Sequence, residues 1–290
     1  MEEIFKTIPD HFKRGDEYVL THFSPSSLLT PLDIWTFNYL HLGDRRRDVP
    51  IGAPAPAGTV VHDAIQSVVS DGEDPDQAIR HAISVLQYHS PRDEDDAVRL
   101  TQCLEDVAPM VENGLDAMNE IFKTEGDIEA TKEQVIGFEH KYLDVPIIGY
   151  VDFSTKKSII ELKTKSSRMG RVKKDGTRSF SAPSVPKTPD VAHVSQVALY
   201  NAATGKPPTI IYITAKGWGV FNQENCKALS PQNLQAHTAR LIQAARVRQN
   251  LLKISNDPKV LAGYIQPDWS NFRWKIGDEF LAEAKEIWKL

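Results

Sequence analysis

Two short segments near the middle of the chain carry the side chains with the clearest chemical potential. The first is Gly149-Tyr-Val-Asp152 and the second is Glu161-Leu-Lys163. Two carboxylates and the backbone carbonyl of Leu162 would make an oxygen-rich pocket of the kind that Mg²⁺ or Mn²⁺ prefers. A lysine beside such a pocket suits phosphodiester hydrolysis, because a hard cation polarises a phosphoryl oxygen and an ammonium group stabilises developing charge.

The two segments become neighbours if they form antiparallel strands joined by a four-residue turn. We predict that Phe153 pairs with Ser158 across this turn, which places Asp152 diagonal to Glu161 at roughly 7–8 Å between backbones. Alternate residues of a strand share a face, so Asp152, Glu161 and Lys163 are expected on one face. Apolar neighbours surround them, and a carboxylate that enters a buried sheet needs a metal ion or a paired charge.

Each of these signals has an ordinary structural alternative. A Glu-x-Lys triplet arises often by chance, and in a surface strand it is an ion pair of little energetic value. Asp152 beside a turn could serve only to stabilise that turn. A lone histidine on an amphipathic helix, such as His62, is more often a hydrogen-bonded residue of the core than a ligand.

The segments before the two motifs are predicted to be helical. Residues 50–58 have the composition of a loop, and Thr59 is expected to cap a short helix that carries His62 and ends at Gly72. Two further helices are predicted from the starts Asp74-Pro75 and Ser90-Pro91, the second reaching about Lys123.

From Glu133 onward, short β-branched and aromatic runs separated by turn residues predict an antiparallel meander. The basic stretch from Lys165 to Ser184 is expected to be a flexible loop. Helices are then predicted from Thr188 to Gly205 and from Ser230 to about Lys253, with the strands TIIYIT and WGVF between them.

These elements predict an α/β fold in which a central mixed β-sheet is flanked by helices, with an N-terminal helical layer. We expect one domain over residues 1–290, made of a mainly helical layer (1–130), a core (131–255) and a C-terminal helical extension (256–290). For the aromatic segment at residues 267–274, docking on the core and contact with a partner remain open.

Composition limits the classes of function. The chain has 34 Lys and Arg against 39 Asp and Glu, a net charge of −5, which excludes a uniformly basic coat but not a local basic patch. Its two cysteines, Cys103 and Cys226, cannot form a disulfide framework, a zinc cluster or a four-thiolate iron–sulfur site, and a reducing, cytoplasmic setting fits best. We find no secretory leader and no apolar run near the roughly 20 residues of a membrane span.

A local basic patch does follow Glu161. Between residues 163 and 178 there are seven basic residues and one acidic residue. Such a segment could neutralise several phosphates of a nucleic acid, although a solvated loop is the alternative. The residues predicted to contact DNA are Lys165, Arg168, Arg171, Lys173, Lys174 and Arg178. Phe180 and Trp218 are candidate stacking platforms for bases, with core packing as the alternative for Trp218.

Taken together, the motifs resemble those of a known family. They are Phe23-Ser-Pro-Ser-Ser-Leu28, Gly58-Thr-Val-Val-His62, Glu139, Gly149-Tyr-Val-Asp152, Glu161-Leu-Lys163 and Gln196-Val-Ala-Leu-Tyr200. Their order is similar to that in RecB-like nucleases of the PD-(D/E)XK superfamily, and the resemblance spans about residues 24–200. It implies a restriction-endonuclease-like fold and metal-dependent cleavage of DNA.

The resemblance also implies roles for individual residues. His62, Asp152, Glu161 and the Leu162 carbonyl would bind one or two Mg²⁺ or Mn²⁺ ions. Lys163 would be the catalytic lysine. Gln196 and Tyr200, four apart on one helical face, would line the site near the scissile phosphate, and Glu139 matches an acidic position that precedes the Gly-x-x-Asp strand.

Many relatives hold an iron–sulfur cluster on four cysteines, which this chain lacks, so it looks more like the cluster-free exonucleases of phages and of mitochondrial genome maintenance. The expected function is a Mg²⁺- or Mn²⁺-dependent deoxyribonuclease that degrades DNA from ends or single strands during replication, recombination or repair. The expected location is the cytoplasm of a bacterial or phage-infected cell. The expected partners are DNA and a recombination or single-strand-binding protein. The alternatives are a single-strand or structure-selective endonuclease and a non-catalytic DNA-binding accessory protein of recombination.

Overall fold

The computed structural model describes residues 8–125 and 134–289. Its α-helices are α1 (Pro25–Leu28), α2 (Leu32–Trp35), α3 (Pro54–Asp71), α4 (Pro75–Gln87), α5 (Glu94–Glu125), α6 (Val191–Thr204), α7 (Pro231–Ile254), α8 (Pro258–Leu261) and α9 (Asp278–Ile287). Its strands are β1 (Lys13–Arg14), β2 (Glu17–Tyr18), β3 (Gln134–Phe138), β4 (Ile147–Val151), β5 (Phe153–Ser154), β6 (Ile159–Lys165), β7 (Arg168–Val172), β8 (Arg178–Ser181), β9 (Pro208–Thr214) and β10 (Gly217–Phe221). A π-helical turn, Thr36–Leu42, continues α2.

The sheet that holds the second motif is mixed. Its strand order is β10-β9-β6-β5, in which β9 runs parallel to β6 and the two outer pairs are antiparallel. Every residue of β9 is buried, as expected for a strand covered on both faces. The predicted mixed α/β class is therefore confirmed.

Helices cover both faces of this sheet. Ile160 and Leu162 of β6 pack into an apolar cluster with residues of α3, α4 and α5. Ile159 packs into a second cluster with residues of α6 and α7. Since side chains of a strand alternate between faces, Glu161 and Lys163 lie on the same side as Ile159, below α6.

The strand that carries the first motif is interrupted at Asp152. β4 pairs with β3, whereas β5, which begins one residue later, pairs with β6. Val151 packs in the cluster below α6, but Phe153 packs in the cluster on the opposite face. Alternation would put these two residues on one face, so the chain is irregular at Asp152. Irregularities of this kind re-aim a side chain, and they are common next to active sites.

Helix α3 starts earlier than predicted. It begins at Pro54, inside the stretch expected to be a loop, and Thr59 does not cap it. Proline is pre-organised for the first helical position, which favours a start at Pro54. The buried carboxylate of Asp96 accepts the Ala53 N–H at 3.1 Å, so a backbone N–H at this end of the helix has a partner without Thr59. The predicted end is confirmed, because Gly72 closes the helix with φ 70°.

Of the next two predicted helix starts, that of α4 is confirmed and that of α5 is wrong. Asp74 caps α4 as expected, its side chain accepting the N–H of Gln77 at 3.0 Å. The prediction for α5 was wrong by about three residues, since the helix begins at Glu94 rather than after Ser90. The Asp93 side chain accepts the Asp96 N–H at 2.7 Å and so takes the capping role.

The basic stretch after β6 is not a flexible loop. It forms the hairpin β7–β8, with Met169 opposite Phe180. Asp106 of α5 is buried and accepts the Ser167 N–H at 2.7 Å and the Ser167 hydroxyl at 2.9 Å, which fixes the start of the hairpin. Long-range contacts that local sequence does not encode therefore order this segment.

The later predicted elements are confirmed. Helix α6 is capped by Asp190, two residues after the predicted start at Thr188. Gly205 closes it with φ 72°, as predicted. Helix α7 begins after Ser230 as predicted, and the runs TIIYIT and WGVF are β9 and β10.

The C-terminal aromatic segment docks on the core. Trp274 is buried, its ring lies 5.6 Å from that of Phe37 in the π-helical turn, and its indole N–H donates to Asp33 at 3.1 Å. This settles one of the two roles left open for the segment. No helix within residues 8–125 or 134–289 is long and apolar enough to cross a membrane.

Gly149 gives a first testable prediction. A β-carbon there would lie closer to the Tyr200 ring than side-chain carbons approach in proteins. We expect Gly149→Ala to destabilise the protein by about 1–3 kcal/mol, because the helix and strand must separate. Urea unfolding measures the change. The control is Tyr150→Ala, whose side chain is 52% exposed and should cost less than about 0.5 kcal/mol; equal effects of the two variants would contradict the prediction.

Candidate active site

The carboxylate of Asp152 reaches across the strand break toward β6. Its Oδ2 accepts the Leu162 N–H at 2.7 Å, and its Oδ1 lies 3.6 Å from Nδ1 of His62. His62 comes from α3, which can approach β6 because Gly58, one turn earlier, leaves room for Thr164; a β-carbon at residue 58 would lie 2.8 Å from the Thr164 hydroxyl. The strand irregularity and the helix contact together place His62 beside Asp152.

The predicted register of the two motifs was wrong by two residues. Phe153 pairs with Ile160, not with Ser158. The turn lies one residue later than expected because the Thr155 hydroxyl accepts the N–H groups of Lys157 and Ser158, at 3.0 and 2.8 Å. Continued by one residue, the observed register places Asp152 level with Glu161 rather than diagonal to it.

Glu161 is 3% exposed and is held by two donors on one oxygen. Its Oε1 accepts from Nζ of Lys163 at 2.5 Å and from Nε2 of Gln196 at 2.7 Å. The other oxygen, Oε2, is buried and has no hydrogen-bond partner among residues 8–125 and 134–289. A buried carboxylate oxygen without a donor is costly, so this atom calls for a proton or a cation.

Helix α6 supplies the residues that fix Glu161. Gln196 also donates to the hydroxyl of Tyr200 at 2.8 Å, and that hydroxyl donates to the Tyr150 carbonyl at 2.8 Å. The spacing of four residues puts Gln196 and Tyr200 on one helical face, as predicted. This relay connects the buried carboxylate to the strand that carries Asp152.

The protonation states follow from burial and from the neighbouring charges. Burial, with repulsion from Asp152, raises the pKa of Glu161 to about 7. Burial would also raise the pKa of Asp152, but the bond and charge of His62 together with the Leu162 N–H hold it below its usual value. Burial opposes the charge of Lys163, yet the Glu161 carboxylate raises the pKa of this ammonium. At neutral pH, Asp152 and Lys163 are charged and Glu161 is balanced between its two forms.

The donor chemistry fits a hard divalent cation. Asp152 Oδ1 lies 3.6 Å from His62, and among the described residues the buried Oε2 of Glu161 has no hydrogen-bond partner. The N–H and C=O of a strand residue point toward the same neighbour, so the Leu162 carbonyl faces the edge where its N–H meets Asp152. Among the described residues, no three His, Cys, Asp or Glu side chains are already arranged around a cation position. The ligand roles therefore remain predictions.

Glu139 is not brought to this site. It is exposed and follows Phe138, which pairs with Ile147, whereas Asp152 follows the opposite end of β4. Five strand residues separate the two ends of β4, which corresponds to roughly 15 Å. The geometry gives Glu139 no contact with the carboxylates, although its predicted role was catalytic.

The predicted DNA-binding residues divide into two groups. Arg168, Arg171, Lys173 and Lys174 are exposed on the β7–β8 hairpin, and Lys165 lies over the ring of Tyr212 at 5.2 Å. Arg178 instead pairs with Asp95 of α5 at 2.5 Å. This arginine therefore holds the hairpin to the helical layer. Phe180 and Trp218 are half-buried, and Trp218 packs against the cluster of α3, α4 and α5.

Two residues near the site, Asp106 and His193, are not in the predicted set; the sequence places His193 one helical turn before Gln196, from where it could join the site. Asp106 interrupts the apolar face of α5 between Cys103 and Val107, and a carboxylate at such a position was a signal that could have been used. His193 contacts Tyr212 on the same face of the sheet as Lys163, and the pairing of β6 with β9 that brings them together is not encoded locally.

Comparison with known proteins adds no relative: neither the models of protein families nor the curated proteins give a match to this chain. The resemblance to RecB-like nucleases thus rests on the motifs themselves. Of those motifs, the structure places His62, Asp152, Glu161, Lys163, Gln196 and Tyr200 in one chain of contacts.

The raised pKa of Glu161 gives a second prediction. Because this pKa rises from 4.5 to about 7 on folding, the native state holds the proton more tightly and loses stability as the pH climbs between these values. Glu161→Gln keeps the acceptor for Lys163 and Gln196 and removes the ionisation. In metal-free buffer we expect the free energy of unfolding of the variant to exceed that of the original protein by on the order of 1–3 kcal/mol at pH 8. At pH 5 the difference should be much smaller.

Urea unfolding at both pH values in the presence of a chelator measures this difference. Glu120→Gln is the control, since Glu120 is exposed on α5 and forms an ion pair with the exposed Lys123. A stability difference for Glu161→Gln that does not change with pH would show that Glu161 ionises in the fold as it does in the unfolded chain.

Proposed function

We propose that the protein is a Mg²⁺- or Mn²⁺-dependent deoxyribonuclease of the RecB-like type, with a restriction-endonuclease-like core. One observation carries the proposal: among the described residues the buried Oε2 of Glu161 has no hydrogen-bond partner, while Asp152 is close enough to repel this carboxylate and Lys163 holds its other oxygen. A cation bound beside Lys163 would satisfy the oxygen that the Lys163–Glu161 ion pair leaves without a donor.

In this proposal, His62, Asp152, Glu161 and the carbonyl of Leu162 hold the cation. When bound, the cation neutralises the two carboxylates, polarises a phosphoryl oxygen and acidifies water. The half-protonated state of Glu161 near neutral pH means that binding there displaces a proton, so affinity should increase with pH.

Lys163 is positioned by the chain itself. Its Nζ is fixed on Glu161 Oε1 at 2.5 Å and remains charged because that carboxylate raises its pKa. An ammonium group so placed can orient water and stabilise negative charge that develops on the phosphorus oxygens. Gln196 fixes the same Glu161 oxygen from the other side and thereby keeps the lysine and the carboxylates in one geometry.

The hairpin β7–β8 explains how an acidic protein could hold DNA. It continues from the strand of Glu161 and Lys163, and Arg168, Arg171, Lys173 and Lys174 are exposed on it. Phosphate contacts of this kind give affinity without sequence preference. Action as an exonuclease on ends or single strands in replication, recombination or repair is proposed from the resemblance of the motifs.

Removal of Asp152 or Lys163 is the direct test of catalysis. Purified protein should degrade end-labelled linear DNA with Mn²⁺, and Asp152→Ala or Lys163→Ala should lower the rate by roughly 10²- to 10⁴-fold. Lys156→Ala, in the exposed turn before β6, is the control and should be fully active. Equal activity of all three variants would exclude this site.

The substrates separate the alternatives. A closed circular single strand should survive if the protein requires an end, and its cleavage would instead show an endonuclease. Calorimetry that finds no binding of divalent cations, together with retained DNA affinity, would show a non-catalytic DNA-binding protein.

The hairpin gives a prediction about binding. Replacing Arg171, Lys173 and Lys174 together by Ala should weaken DNA affinity and reduce the dependence of log K on log salt by about one unit for each lost phosphate contact. The matched control replaces three exposed lysines of the C-terminal region, Lys259, Lys275 and Lys285. Fluorescence anisotropy across a salt series measures both, and an equal loss in the two triple variants would mean that net charge alone governs binding.

A further inference from the structure

His193 lies on α6, one turn before Gln196, and one nitrogen of its ring is hydrogen-bonded. Its Nδ1 lies 2.6 Å from the hydroxyl of Tyr212, and that hydroxyl accepts the Asp190 N–H at 2.8 Å. Within the described residues this hydroxyl has no acceptor other than Nδ1 of His193, so we assign its proton to that nitrogen, which satisfies both groups. A neutral imidazole that accepts at Nδ1 carries its proton at Nε2.

The surroundings of His193 keep this neutral form. Burial lowers the pKa of His193 to about 4, the positive charges of Lys163 and Lys165 on β6 add to the effect, and Asp190 opposes it. Tyr212 on β9 supplies the hydrogen bond. The ring is half-buried, and within the described residues Nε2 makes no hydrogen bond, so its N–H remains available as a donor.

The sheet puts this donor beside the candidate site. Lys163 pairs with Tyr212 across the parallel strands, and Nζ of Lys165 lies over the Tyr212 ring at 5.2 Å. Glu161, Lys163 and Lys165 follow each other on one face of β6 at intervals of about 6.6 Å. Lys165 therefore lies one step beyond Lys163 in the direction of the basic hairpin, and both Lys165 and His193 contact Tyr212.

We propose that the Nε2–H of His193 and the ammonium of Lys165 form a subsite for the phosphodiester group next to the one that is cleaved. The inference rests on the proposed function and extends it, since it names the part of the substrate that is bound. A cation and a neutral donor together suit the two free oxygens of a phosphodiester monoanion, which carries a single charge. The neutral donor adds a hydrogen bond that holds across physiological pH.

A series of single-stranded oligonucleotides tests the subsite. Each carries one uncharged methylphosphonate at a different position, and affinity is measured by anisotropy with Ca²⁺, so that the readout does not depend on cleavage. We expect one position to weaken binding to the original protein by roughly 10- to 100-fold. In His193→Ala, binding to the unmodified strand should be weakened to a similar extent, and the methylphosphonate at that position should cost clearly less than in the original protein.

Two further variants separate a contact with the substrate from a packing role. His193→Gln can present an amide N–H near the place of Nε2 and should recover most of the affinity, whereas His193→Asn places its amide near Nδ1 and should not. His237→Ala is the control, because His237 contacts Ser195 on the other side of α6 at 2.8 Å. The subsite would be overturned if His193→Asn rather than His193→Gln recovered the affinity, or if His237→Ala lost as much affinity as His193→Ala. It would also be overturned if the effects of His193→Ala and of the methylphosphonate on affinity were additive at every position.

The outcome for the subsite is separable from that for the proposed function. Cleavage of the unmodified strand with Mn²⁺ is measured in parallel. If the original protein binds with the expected position dependence but does not cleave, the phosphate contact at His193 and Lys165 stands as a DNA-binding contact and the nuclease proposal fails. If the protein cleaves, but the effects of His193→Ala and of the methylphosphonate on affinity are additive at every position, the nuclease proposal stands and the subsite fails.

Discussion

In the described part of the chain, the buried carboxylate of Glu161 has two donors on one oxygen and none on the other. This imbalance is an electrostatic constraint that the surrounding structure must satisfy, because an isolated negative charge in the interior would cost several kcal/mol. Lys163 and Gln196 offset part of that cost. The unsatisfied oxygen and the nearby Asp152 leave the site with a requirement for positive charge, which a proton meets at low pH and a divalent cation would meet at higher pH.

The backbone opposite Glu161 is irregular at Asp152. A regular strand through residues 147–154 would keep Val151 and Phe153 on one face, yet they pack on opposite faces of the sheet. The irregularity at Asp152 lets its carboxylate turn toward the Leu162 N–H, which would otherwise be available for strand pairing. The site thus lies where one strand leaves its partner, and the unpaired backbone there becomes part of the site.

Acidic and basic residues are segregated between the α3–α5 layer and the β7–β8 hairpin. Acidic residues of the α3–α5 layer act as anchors, with Asp96 holding the start of α3, Asp106 holding Ser167 and Asp95 holding Arg178. These contacts neutralise one arginine of the basic hairpin and orient the others toward solvent. A net charge of −5 is therefore compatible with a positive surface next to the candidate site.

The sequence alone determined the mixed α/β class, most of the helices and strands, and the residue types of the site, because periodicity, caps and short motifs are local properties. It could not determine the register across Thr155–Ser158, since a turn hydroxyl shifts the pairing by two residues, or the early start of α3, which depends on Asp96 about forty positions away. It also gave no sign that Glu139 lies at the far end of β4 or that His193 meets Tyr212. These relations arise from the pairing of β3 with β4 and of β6 with β9, and only the tertiary structure brings such distant segments together.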